Sequence, residues 1–125
     1  VLDRVDSMLV LGGAALSLPV AFQALRPEMD IVVVEIDPVV TELATEHFAY
    51  GTRSRPNIRI VHEDARLHLR NSRETYDIIY LDVFDHLVTV PWTMVTREAL
   101  TDMASRLAAR GPGHRIPRAI PGNAR

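Results

Sequence analysis

At 125 residues the chain bounds a single domain, long enough to bury a core yet short for a complete enzyme. Its composition, 47% hydrophobic with few aromatics, fits a globular α/β protein better than a disordered chain. The absence of cysteine excludes disulfides, a thiol nucleophile and thiolate metal sites, and the absence of lysine excludes Schiff-base chemistry and a P-loop.

Charge is uneven. The net value is −2, but Arg110, Arg115, Arg118 and Arg125 follow Ala109 with no acid among them, so the first 109 residues sum to −6. An acidic body argues against non-specific nucleic-acid binding and suits a cationic substrate. No apolar run reaches the ~18 residues that a membrane span needs, and no secretory leader stands at the start. A cytoplasmic protein without nucleic-acid or membrane partners is the expectation.

In chain order, Met8 to Leu11 reads as a buried strand, short, apolar and stopped by Gly12-Gly13. Ser17 is placed to cap a helix that tolerates Pro19 in its first turn and runs to about Leu25. "IVVVEID" is a β-branched strand, after which Asp37 and Pro38 supply the N-cap and first position of a second helix. Val40, Leu43, Ala44 and Phe48 are the apolar stripe expected for that helix. "YGTRSRPN" is a loop, and "IRIVHED" a strand half-buried by its alternation. Asp64 caps a short helix, "ARLHLRN". "YDIIYLD" is the fourth strand, followed by a loop in which Trp92 is expected to pack onto the sheet. Thr96 caps the last helix, from Arg97 to about Ala109.

Strict alternation of strands and helices predicts a parallel sheet covered on both faces. A ligand then sits beyond the carboxyl ends of the strands, where strand order reverses. Four sites face that crevice: Gly12-Gly13, Glu35 to Asp37, Asp64-Ala65, and Asp82 to Asp85.

The glycines lack the full dinucleotide fingerprint, since the run reads G-G-A-A-L-S. Close packing and a bound cofactor both account for them. Glu35 ends the second strand about twenty residues on, where an acid takes the hydroxyls of a ribose. Helix capping explains Asp37 but not Glu35. With no phosphate-binding turn of the dinucleotide kind, a nucleoside without a pyrophosphate is the expected ligand. Asp64 reads either as the N-cap of its helix or as an acceptor from an adenine amino group, and its second oxygen makes the two compatible. Asp82 ends a buried strand and needs a partner or a task, whereas Asp85 in the loop is explained by solvation alone. His62, His68 and His86 do not pair at metal-binding spacing on one helix, so no metal is expected.

The segments "VLGGAA", "VVVEIDPVV", "IVHEDARLHLR" and "YDIIYLDVFDHLVTVPWTMVTREAL" together resemble the spermidine synthase family, the polyamine aminopropyltransferases, over roughly Met8 to Ala109. The resemblance implies a Rossmann-like parallel sheet of the S-adenosylmethionine-dependent methyltransferase type, strand order 3-2-1-4, incomplete at its C-terminal side. It implies Gly12, Gly13, Glu35, Asp64 and Ala65 at the nucleoside of the co-substrate, decarboxylated S-adenosylmethionine or S-adenosylmethionine itself. It implies Asp82 as the acid that deprotonates the attacking amine and Asp85 as the acid that holds a diamine such as putrescine. Three features depart from the family pattern. Ala15 replaces an aspartate that binds the donor's amine, and neither the family's small N-terminal β-domain nor the strands that follow its fourth helix are expected within these 125 residues. A methyltransferase and an inactive remnant or interaction domain are the rival readings. Residues 1–110 form the expected nucleoside-binding domain. Residues 111–125, with Pro112, Pro117 and Pro121, form an expected flexible basic tail. A fourth strand without an outer partner makes self-association or low stability an expectation.

Overall fold

Apolar, β-branched runs and well-placed caps build the fold that the computed structural model describes for residues 5–13, 16–48, 56–83 and 90–109. The elements in order are β1 (Ser7–Leu11), α1 (Ser17–Leu25), β2 (Asp30–Glu35), α2 (Pro38–His47), β3 (Ile58–His62), α3 (Ala65–Asn71), β4 (Ile78–Leu81), a 3-10 turn (Trp92–Met94) and α4 (Arg97–Ser105). All pairings between these strands are parallel, in the order β3-β2-β1-β4. The chain thus has the expected Rossmann-like architecture. None of the described helices is long and apolar enough to cross a membrane.

β1 is central and buried along its whole length. Its period-two alternation sends Met8 and Val10 to one face, where they meet Leu16, Met29, Val33 and Ala44. Leu9 and Leu11 go to the other face, against Val34, Leu69, Tyr76 and Met94. Helices α1 and α2 therefore cover one side of the sheet, and α3 and α4 the other.

Three caps follow the sequence. Asp37 Oδ1 accepts from Val39 N–H (2.9 Å) with Pro38 at the first helical position, Asp64 Oδ1 from Leu67 N–H (2.9 Å), and Thr96 Oγ1 from Ala99 N–H (3.1 Å). The expected Ser17 cap does not form. Leu16 is the N-cap, in the left-handed region at φ 59, with no side-chain cap bond. Its N–H donates to Gly13 O (2.8 Å), and burial of its side chain in the core offsets the strain of that conformation.

The stripe expected on α2 holds only in part. Ala44 is buried and Val40 half-buried, while Leu43 and Phe48 are exposed, because α2 meets the sheet through a narrow strip centred on Ala44. Trp92 is 76% exposed; Met94, two residues on, enters the core in its place.

At the amino end of the sheet, Asp77 Oδ2 accepts from Asp6 N–H (2.9 Å), Ser7 N–H (3.0 Å) and Ser7 Oγ–H (3.0 Å), and Ser7 Oγ accepts from Asp77 N–H (3.1 Å). This staple joins the starts of β1 and β4. Next to it, Tyr76 forms a parallel bridge with Leu107. Tyr76 N–H donates to Arg106 O and Ala108 N–H to Tyr76 O, each at 2.8 Å. Helix α4 consequently ends at Ser105 rather than near Ala109, because the chain turns back to the sheet. This isolated bridge stands before β4, whose own residues Ile78–Leu81 pair with β1 alone among the described residues, so β4 is an edge strand as expected. The proposed tail, residues 111–125, lies outside the described residues.

Candidate functional site

In an all-parallel sheet every strand ends on one side, which brings Gly12, Glu35, Asp64 and Asp82 to a common rim. The chain order reverses between β1 and β4, the kind of position at which open α/β sheets bind ligands. Leu11 stands opposite Val34 on one side and Leu81 on the other. One step further, Gly12 lies between Glu35 and Asp82. With strands about 4.8 Å apart, these three positions span about 10 Å.

Gly12 joins both neighbours. Its N–H donates to Val34 O (2.8 Å), and Asp82 N–H donates to Leu11 O (2.7 Å) beside it. Gly12 has φ 88, and a Cβ there would lie 2.7 Å from the Asp82 carbonyl carbon and 3.0 Å from Val83 N. At Gly13 a Cβ would meet Val33 Cγ1 at 2.9 Å. Close packing therefore accounts for both glycines, most strictly for Gly12, whose near neighbours are backbone atoms, whereas at Gly13 they are the side chains of Val33, Leu16 and Glu35.

Glu35 is 8% exposed and accounts for itself through the backbone. Its Oε2 accepts from Gly13 N–H (2.9 Å) and its Oε1 from Asp37 N–H (3.0 Å). The carboxylate thus ties the glycine turn to the start of α2. Each oxygen keeps a further lone pair.

Asp64 is exposed at the start of α3, with Oδ1 in its capping bond, and Ala65 is half-buried behind it. Asp82 is half-buried, and its carboxylate has no hydrogen-bond partner among the described residues. Asp85 lies outside the described residues, as do His86 and Ala15.

Side-chain pairs away from the rim escaped the sequence reading. Arg66 pairs with Asp102 and so pins α3 to α4. His68 is buried, with Nδ1 3.0 Å from Glu63 Oε2, on a groove of about 340 Å³ that Arg59, Val61 and Glu74 also line. The Tyr76 hydroxyl and Arg59 both donate to Glu74 Oε2 at 2.6 Å. Burial, then the bond to Glu74, push the Tyr76 phenol well above its ordinary range. Burial also raises Glu74, but the bond from Tyr76 and the charge of Arg59 outweigh it and hold the carboxyl below its usual value. No sequence spacing marks these partners in advance. Among the described residues no three His, Asp or Glu side chains are grouped to hold a metal ion.

No family model matches the chain. It is 32% identical over 109 residues to the polyamine aminopropyltransferase of Vibrio vulnificus (strain CMCP6), covering 85% of this chain and 36% of that protein. It is 30% identical over 109 residues to a probable polyamine aminopropyl transferase of Bifidobacterium longum (strain NCC 2705), covering 87% of this chain and 23% of that one. The chain thus spans little more than a third, or less, of these curated relatives. Among solved structures, a probable spermidine synthase from Corynebacterium glutamicum ATCC 13032 superposes with a TM-score of 0.72 at 28% identity, over 82% of this chain and 36% of that one. Human methyltransferase-like protein 13, solved with SAH, gives a TM-score of 0.72 at 28% identity, over 85% and 51%. The chain is spermidine synthase-like, with the fold that spermidine synthases share with S-adenosylmethionine-dependent methyltransferases.

Proposed function

We propose that the rim binds the nucleoside of an S-adenosyl compound and serves aminopropyl transfer from decarboxylated S-adenosylmethionine to a diamine such as putrescine. The observation that carries this reading is the alignment of 85% of the chain with a polyamine aminopropyltransferase. Glu35 accepts from the ribose hydroxyls with its remaining lone pairs. Asp64, through its second oxygen, and Ala65 meet the adenine, and Gly12-Gly13 lets the nucleoside approach the backbone.

Asp82 is the general base and first contact of the amine; Asp85 holds the diamine's far end. The attacking nitrogen arrives as an ammonium and cannot attack until Asp82 takes its proton. The amine lone pair then forms a C–N bond to the methylene carbon beside the sulfonium. The C–S bond breaks with its electron pair on sulfur, releasing methylthioadenosine. A sulfonium is already a good leaving group, so the step calls for no metal. The acidic body favours a polycationic acceptor.

A second reading, methyl transfer from S-adenosylmethionine, is favoured by the likeness to methyltransferase-like protein 13. It uses the same nucleoside residues with a different acceptor, and an assay offering both donor forms separates the two. Calorimetric titration with methylthioadenosine tests the shared part. Saturable binding is expected, and Glu35→Ala should weaken it by about 1–3 kcal/mol, the range for a hydrogen bond to a charged group. Equal affinity of variant and parent removes the ribose role.

A further inference from the structure

We infer that Glu35 is also a positioning residue for Asp82, so that the nucleoside side of the rim and the amine side are mechanically one unit. The inference rests on the roles proposed above for these two residues, and it concerns how they are joined. The chain of contacts is short and specific. Glu35 Oε2 holds Gly13 N–H at 2.9 Å in a buried bond. Gly13 follows Gly12, which occupies the left-handed region at φ 88. Gly12 lies so close to the Asp82–Val83 peptide that a methyl group could not enter between them. Asp82 in turn is anchored by its N–H to Leu11 O at 2.7 Å. On its other side, Glu35 Oε1 holds Asp37 N–H at 3.0 Å and so fixes the first turn of α2.

One carboxylate therefore sets the conformation of the turn against which the Asp82 backbone rests. A nucleoside that draws on Glu35's remaining lone pairs competes with, or tightens, the bond to Gly13. Either change reaches Asp82 through two residues. A glutamine cannot replace it, because one of the two backbone N–H groups would face an amide NH₂ instead of an oxygen.

The test is amide exchange and resonance assignment on the full chain, as parent and Glu35→Gln, without ligand and then with methylthioadenosine. In Glu35→Gln, exchange at Gly13 and Asp82 should accelerate by about tenfold or more, a local opening, while Val10 and Val33 stay protected. The Asp82 and Val83 resonances should shift with it. In the parent, methylthioadenosine should move those same two resonances. Changes in Glu35→Gln confined to Gly13, Ile36 and Asp37 would overturn the inference. If Glu35→Gln does not fold, Glu35→Asp, which is too short to reach both N–H groups, is read by the same criteria. A parent that fails to bind methylthioadenosine sinks the functional proposal, and the ligand-free comparison still decides the positioning role.

Discussion

Asp77 and Asp82 bracket β4, and their carboxylates are used in opposite ways. At the amino end, one oxygen of Asp77 collects three donors from Asp6 and Ser7 and staples β1 to β4. At the carboxyl end, Asp82 is half-buried with no partner for its carboxylate among the described residues. The same contrast separates Glu74, which receives Tyr76 and Arg59, from the rim. An acid with an oxygen that collects several donors from the protein is holding the fold together. A half-buried acid to which the described residues offer no donor is open to a ligand, and a group so placed at a strand end marks a candidate site. Glu35 lies between these cases, since each of its oxygens is engaged once and open once.

The comparison can be broken most sharply at Asp82. If the chain turns over, Asp82→Asn should lower aminopropyl transfer by about 10²–10⁴-fold, the range for loss of a general base. Methylthioadenosine affinity should stay near the parent's. A variant as fast as the parent would make Asp82 a structural residue like Asp77. Next in size is Gly12→Ala, which forces a side chain into the junction of β1 with the end of β4. Left-handed strain and overpacking together predict a loss of about 3 kcal/mol in thermal unfolding. Unchanged stability would mean that the two strand ends are not held as closely as the geometry implies.

The smallest effects lie at the amino end and follow pH. Glu74 has a folded value below its ordinary one, so its stabilisation is present above the ordinary range, about pH 4.3, and is lost as pH falls through the lowered value. Tyr76 is raised, so its contribution is intact below about pH 10 and is lost as pH climbs toward the folded value. Glu74→Gln should flatten the acid limb of the melting-temperature profile, and Tyr76→Phe the alkaline limb. Profiles parallel to the parent's would show that this cluster is solvated in practice.

Much of the fold was legible because its signals are local. The β-branched run of β2, the Asp37-Pro38 start of α2 and the caps Asp64 and Thr96 each depend on residues within a turn of one another. Failures came where distant partners decide. Leu16 takes the cap position from Ser17 because its side chain belongs to the core. Asp77 finds its donors some seventy residues earlier in the chain, and α4 is cut short by pairing with Tyr76. At the candidate site, the strand-end acids were legible from topology, since parallel strands must deliver them to one rim. The two hydrogen bonds that Gly13 and Asp37 donate to Glu35 were not, because no pattern in the sequence gives the direction of a carboxylate.

The division of labour along β4 is tested most directly by chemical denaturation of Asp77→Ala and Asp82→Ala beside the parent. Removing the staple should cost about 2 kcal/mol, the scale of hydrogen bonds to a charged acceptor at a partly exposed site. Removing Asp82 should leave stability within about 0.5 kcal/mol of the parent or raise it, as for a group held for use rather than for packing. An Asp82→Ala protein destabilised as much as Asp77→Ala, or an Asp77→Ala protein as stable as the parent, would contradict the account.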